Sequence, residues 1–386
     1  MAAADSLTAR RPEAGRVPSR AELAERYAPL YETLRRCAAD ADTAGELPGE
    51  VLAALRSSGV LGAAVAPEYG GLGGDARLTN RIVEQVAAAD PSVAIILFQH
   101  YAVSARISEW GTPEQCARHL PRLARGEWLA ASAWSESGAS ADKRNLATKA
   151  ARVPGGWVLD GAKTFTTGAG LAQLYLVLAQ SSEPSGAVST YGSDGQTFYL
   201  VEAGNPGLVA HTGMDLVGMR ASATGFVELH ACRVDDTAVL GPEGGAVPII
   251  AGVRESGATL GAVSLGIAET AYRLALAHAT RRGLDGQQAV RHRLVDLGAR
   301  VAAARALVDA AGRRDTAEPG ITTLYSKLIA SQLSEEILQE AQRLLGSAGF
   351  LRDHPVNKLA RDARAVGLMG PTNDLCRELV SAPWTA

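Results

Sequence analysis

The sequence predicts an α+β protein built in three consecutive parts: helical, then β, then helical. Three observations carry this reading. Apolar residues recur at helical spacing through the first third. Short runs of valine, threonine and aromatics, separated by Gly, Ser and Asp, fill the middle. Long Ala/Gly-rich helical patterns close the chain, as in a tightly packed helix bundle. At 386 residues the chain exceeds the usual size of a single core, so cooperating subdomains are expected. They fall at 1–125, 126–240 and 241–386, with 1–18 as a loose tail.

Each element has a local reason. Ser19 opens a helix, with Glu22 three residues on as a capping box. Leu23, Tyr27, Leu30 and Leu34 continue it, and Pro29 should bend or interrupt it. Further helices are expected from Leu78 to about Ala89, from Pro91 to about Trp110, and from a Thr112 cap with Gln115 to Ala124. From about Glu127 the runs WVLDGAKTFTT, LYLVLAQ, TFYLVEA and GFVELHACRV read as strands, with Ser181 to Gln196 as a mobile surface loop. Beyond GPEGGAVP one long helix is expected from about Ile249 to Arg281 and another from Val290 to about Ala311. A third passes through Leu324, Ile337 and Leu345 to the glycines of LLGSAGF. The stretch LMGPT then reads as a turn before the helix-like DLCRELV.

Composition removes several classes of function. A net charge of -3 without a polybasic patch argues against nucleic acid as a partner. The four cysteines are far apart with no CxxC pair, and the seven histidines form no HExxH, so neither a metal site nor a disulfide framework is expected. That cysteine usage fits a reducing cytosol. No apolar run reaches membrane-spanning length, and a cytoplasmic protein with no membrane partner is expected. The glycines of EYGGLGGD follow no strand of a βαβ unit, GAKTF has no upstream glycine loop, and no GxSxG elbow occurs.

Six pieces nevertheless occur in a telling order: PEYGGLGGD, GTPEQCARHLPRLARGEW, SAWSESGASAD, LDGAKTFTTGAG, GMRASAT and LLGSAGFLRDHPVNKLARDAR. Through them the sequence resembles the acyl-CoA dehydrogenase family over nearly all of the chain after Leu61. The resemblance implies an N-terminal helical domain, a small central β domain, a C-terminal four-helix bundle and bound FAD. It also implies a homo-oligomer, a dimer or a tetramer, in which the flavin site crosses a subunit interface. Trp134 and Ser135 match the segment near the flavin ring, and Phe165 and Thr167 match the aromatic-x-threonine that packs against the ring and bonds near N5. Arg281 matches the arginine that meets a neighbouring subunit's pyrophosphate, and Gln288 the glutamine of a Phe-Gln pair, although the loop between them is short. Gly346 and Gly349 match the glycine turn beside the adenosine half, and Thr372 and Asn373 a polar pair beside the flavin.

The substrate side departs from the family pattern. Relatives remove an α-proton with a glutamate a fixed interval after RDAK; that position is Gly370 here. Some branches carry the base on a helix near the start of the bundle. The matching position is Ser256, which leaves the adjacent Glu255 as the candidate base if the register shifts. The serine that reaches the thioester is Ala141. The expected function is therefore that of an FAD-dependent oxidoreductase of specialised, polyketide-type metabolism. It would oxidise a small polar acyl thioester held on an acyl carrier protein, such as a hydroxyacyl unit toward hydroxymalonyl, with an electron acceptor that the sequence does not reveal. The alternatives are a flavin monooxygenase on the same fold, a short or branched acyl-CoA dehydrogenase with a relocated base, and a non-catalytic partner subunit.

Overall fold

A computed structural model of the chain describes residues 17–139, 141–184 and 189–384. Most of the expected tail and the middle of the Ser181 to Gln196 loop lie outside those residues. Six helices come first: α1 (Arg20–Arg26), α2 (Ala28–Ala44), α3 (Gly49–Ser57), α4 (Ala76–Ala89), α5 (Pro91–Trp110) and α6 (Pro113–Ala124). The Ser19–Glu22 and Thr112–Gln115 capping boxes both form. Pro29 falls in the first turn of α2, where a missing N–H does no harm, so it separates two helices instead of bending one. The short α3 has no strong signal and escaped the sequence reading.

The middle of the chain forms β1 (Ala130–Ala133), β2 (Lys149–Val153), β3 (Gly156–Thr166), β4 (Leu174–Gln180), β5 (Gln196–Glu202), β6 (Leu208–Thr212), β7 (Gly225–Asp235) and β8 (Val239–Leu240). They build one sheet in the order β6-β7-β3-β2-β4-β5-β8, with β1 added parallel to β4. β4 is buried on both faces. Leu174, Leu176 and Leu178 pack toward α5 and α6, while Tyr175, Val177 and Ala179 pack with Trp157 and Tyr199 beneath the other face. A strand buried on both faces reads as a continuous apolar run, which is why LYLVLAQ stood out.

Six more helices follow: α7 (Ala246–Glu255), α8 (Gly261–Arg281), α9 (Gln288–Arg313), α10 (Pro319–Leu345), α11 (Pro355–Leu368) and α12 (Asn373–Ser381). The single long helix expected over Ile249 to Arg281 is two. Gly257 breaks it with φ +81, in the left-handed region, and has no room for a Cβ against the Ala311 carbonyl. α8 to α11 pack as a bundle, and α4 lies along α8 so closely that Gly266 fits only without a side chain beneath the Glu84 carbonyl. One apolar core runs without interruption from Leu23 and Leu34 through Ile82 and Val86 to Leu265, Val301 and Ile337.

α11 locks the parts together. Asp362, fully buried, accepts from the Met219 N–H at 2.5 Å and from Lys358 Nζ at 2.7 Å. Lys358 also donates to Asp90, the N-cap of α5, at 3.0 Å. Arg361 pairs with Asp42 of α2 at 2.6 Å and donates to the Val217 carbonyl at 2.8 Å. Gly218 lies flat against the α11 backbone, where a Cβ would collide with the Arg361 carbonyl. Burial alone would lower the Lys358 pKa, but Asp362 and Asp90 together raise it. Removing one member of a buried ion group leaves its partners uncompensated at a cost of about 3–5 kcal/mol. Asp362→Asn is therefore expected to lower the chemical-denaturation midpoint clearly; an unchanged midpoint would show that the interlock contributes nothing.

Candidate functional site

A cavity of about 830 Å³ opens between the β sheet, α5, α7 and the α10–α11 side of the bundle. Trp134 and Ser135, just beyond β1, form one wall, and Phe165 and Thr167 at the end of β3 form another. Phe165 sits at φ +51 where the register of β3 against β7 shifts, and its ring is 66% exposed. A left-handed aromatic is strained by about 1–3 kcal/mol, and here the strain turns a large apolar ring toward the cavity. Ser222, Thr224 and Thr167 form a hydroxyl chain, with Ser222 to Thr224 at 2.7 Å and Thr224 to Thr167 at 3.3 Å. An exposed aromatic face flanked by hydroxyl donors fits a flavin, whose ring is flat and apolar at one end and rich in acceptors at the other.

Beneath this wall Lys163 and Glu136 form a fully buried pair at 2.6 Å. Glu136 also accepts from the N–H groups of Ala147 (2.6 Å) and Thr148 (3.2 Å), and so ties the segment leading into β2 to the wall. Burial would raise the Glu136 pKa, but Lys163 and these bonds hold it below its ordinary value. The lysine of GAKTF is thus a scaffold group, paired away from the cavity.

The sequence reading missed the polar groups that matter most inside the cavity. Lys143 is buried, lines the wall and donates to Ser135 Oγ at 2.8 Å. Lys327, on α10, donates to the carbonyls of Pro371 (2.6 Å), Met369 (3.2 Å) and Gly367 (3.4 Å), and so grips the LMGPT loop from below. Its signal was a single lysine on the apolar face shared by Leu324 and Ala330. The Tyr191 hydroxyl stands 3.4 Å from where a Cβ on Gly370 would lie. Burial keeps that phenol protonated well above its usual range.

The expected residues fall into two groups. Trp134, Ser135, Phe165, Thr167 and Gly370 line the cavity. Arg281 and Gln288 lie exposed at the α8–α9 turn, and Gly346 and Gly349 lie in the turn after α10; none of the four lines it. Thr372 is the N-cap of α12, and Asn373 bonds Ser331 Oγ at 3.0 Å; neither is among the residues that line the cavity. Ala141 is exposed in the turn before Lys143. Ser256 bonds within its own turn, to the Val253 carbonyl at 2.8 Å. The carboxylate of Glu255, the candidate base, lies 3.3 Å from Arg254, half-exposed against Gly320, and Glu255 is not among the residues that line the cavity. The last turn of α7 points it there, because the helix stops at Gly257 before any shift of register.

Burial pushes the Lys327 pKa down to about 8, from 10.5. Between these values the unfolded chain binds the proton and the folded chain does not, so this group makes stability rise with pH. The contribution is complete above pH 10.5 and is lost as pH falls through about 8. The stability of the wild type relative to Lys327→Met is accordingly expected to grow between about pH 7 and pH 10. Thermal midpoints of the two proteins across that range check it, and a gap that narrows with rising pH would contradict it.

Comparison with known proteins matches this architecture part by part. The family models for the acyl-CoA dehydrogenase N-terminal, middle and C-terminal domains match residues 23–127, 131–232 and 245–383. The "probable acyl-CoA dehydrogenase FadE25" of Mycobacterium tuberculosis is 31% identical over 353 residues, 89% of each chain. The structure of butyryl-CoA dehydrogenase from Megasphaera elsdenii superposes with a TM-score of 0.88 at 26% identity, covering 97% of this chain and 100% of that one. The structure of FkbI, "for biosynthesis of methoxymalonyl extender unit" of the polyketide Fk520, gives a TM-score of 0.82 at 26% identity, covering 93% and 99%. FAD is the cofactor expected in this fold, and the enzymes that share it are FAD-dependent oxidoreductases. With three domains matched in order around one flavin-shaped cavity, the chain belongs to the acyl-CoA dehydrogenase family.

Proposed function

We propose that the protein is an FAD-dependent oxidoreductase of specialised metabolism that oxidises a small polar acyl thioester presented by an acyl carrier protein. The observation that carries the reading is the cavity wall itself: among the described residues it contains no Asp or Glu. The family resemblance puts the α-proton base at position 370, which is glycine, and the alternative Glu255 faces Arg254. A site that cannot take an α-proton with a carboxylate suits oxidation of a hydroxyacyl unit better than desaturation of a fatty chain. The similarity to FkbI supports the same direction.

In this reading Phe165 and the hydroxyls of Ser135 and Thr167 would hold the flavin. Bound FAD supplies the hydride acceptor. Lys327 holds the 369–371 loop in place, and neutral Tyr191 offers a hydrogen bond beside Gly370. Val247, Ile250 and Val253 of α7 close the cavity with apolar surface that keeps water from the substrate. Arg281, Gln288, Gly346 and Gly349 remain for the cofactor of a neighbouring subunit in a homo-oligomer.

Carrier-bound hydroxyacyl substrates are expected to give a product two mass units lighter by mass spectrometry, while straight-chain acyl-CoAs turn over poorly. Robust turnover of the latter would overturn the reading, and incorporation of label from 18O2 would assign the site to oxygenation. Glu255→Gln is expected to keep turnover within about twofold of the wild type, because the side chain pairs with Arg254 and does not itself line the cavity. A loss of a hundredfold or more, on the order expected for a general base, would restore Glu255 to that role.

A further inference from the structure

Five cations line the cavity: Lys143, Arg254, Lys327, Arg361 and Arg364. Most are committed elsewhere or reach solvent. Arg361 pairs with Asp42, Arg254 lies beside Glu255, Lys327 is saturated by three carbonyls, and Arg364 is exposed. Lys143 differs. It is 6% exposed, and its one side-chain bond among the described residues goes to a neutral hydroxyl, that of Ser135. The nearest carboxylates, Glu136 and Asp142, are each bonded to another cation, Lys163 and Arg144. An ammonium carries three N–H donors, and among the described residues Ser135 satisfies one of them.

The backbone holds Lys143 in this position. Its φ of +57 is left-handed, a conformation that a lysine adopts only when its surroundings impose it. Gln196, fully buried, donates to the Lys143 carbonyl at 2.8 Å. The Gly192 N–H donates to the Asp142 carbonyl at 2.7 Å, and Ser193 Oγ to the Arg144 carbonyl at 3.1 Å. These bonds tie the Lys143 turn to the segment that carries Tyr191, and the two residues both line the cavity. The rest of the lining is largely apolar or hydroxylic.

We propose that this corner is a carboxylate subsite, and that the hydroxyacyl group taken by the enzyme is the monothioester of a short hydroxydicarboxylic acid. Lys143 supplies the counter-charge and Tyr191 a second donor, so that the distal carboxylate fixes the chain relative to the ring. The inference rests on the thioester reading above and narrows it to anionic acyl groups. Burial pushes the Lys143 pKa down to about 8 against the pull of Glu136 and Asp142, and a bound carboxylate would raise it.

The test titrates the FAD-loaded protein with succinyl-pantetheine and with its neutral counterpart pentanoyl-pantetheine, following the flavin absorption band. The carboxylate form is expected to bind at least about tenfold tighter. Lys143→Gln should bring the ratio of the two affinities near one, and Lys143→Arg should keep part of it; flavin content reports folding of each variant. Equal affinity in the wild type, or a ratio unchanged in Lys143→Gln, overturns the subsite and leaves the thioester reading standing. A variant that shifts the flavin potential with the ratio intact assigns the charge to the cofactor and likewise overturns the proposal. No response to either compound overturns both readings.

Discussion

The buried ion group on α11 is the constraint on which the rest of the molecule depends. Asp362, Lys358 and Asp90 lie where three layers meet, and each reaches a different one: the GMR turn of the β domain, α11 itself and the start of α5. Taken singly, such charges gain little net energy from burial, because desolvation offsets most of their attraction. Their value here is geometric. The Met219 N–H donates to Asp362 and so ties the β domain to the bundle at this point. The cavity is the gap left by that seating, with walls from both sides of the joint. A small tilt between the domains would move Phe165 against Lys327 and change the shape of the site.

This arrangement explains why motifs of the sequence lie far from the chemistry yet matter to it. The glycine of GMRASAT is where the α11 backbone passes closest, and the arginine and aspartate of RDAR form the joint. The first LDGAKTFTT lysine serves the same end one layer deeper, by bonding Glu136. These are supports, and the surfaces that meet a ligand stand on them.

Much of the fold was legible because its signals are local. Capping boxes at Ser19 and Thr112, Asp90 before Pro91 and the apolar run of β4 each report on a few neighbouring residues. What escaped depends on contacts between distant segments. β1, β2 and β6 are short strands that exist because longer ones receive them. The break at Gly257 is imposed by Ala311 of α9, fifty-odd residues later in the chain. Site residues divide in the same way. Phe165 and Gly370 were visible through their motifs, whereas Lys143, Tyr191 and Lys327 come together only through tertiary packing. Glu255 shows the same limit, because sequence adjacency says nothing about the direction a helix terminus takes.

The break at Gly257 has a wider meaning for the site. It makes α7 a ten-residue segment bounded by glycines, Gly244 and Gly245 on one side and Gly257 on the other. That segment supplies Val247, Ile250, Ala251, Val253 and Arg254 to the cavity, yet the bundle begins only afterwards, at α8. The cavity wall thus draws on a short segment outside the bundle as well as on α10 and α11, and its α7 part can be rewritten, residue by residue, while the long helices keep their packing.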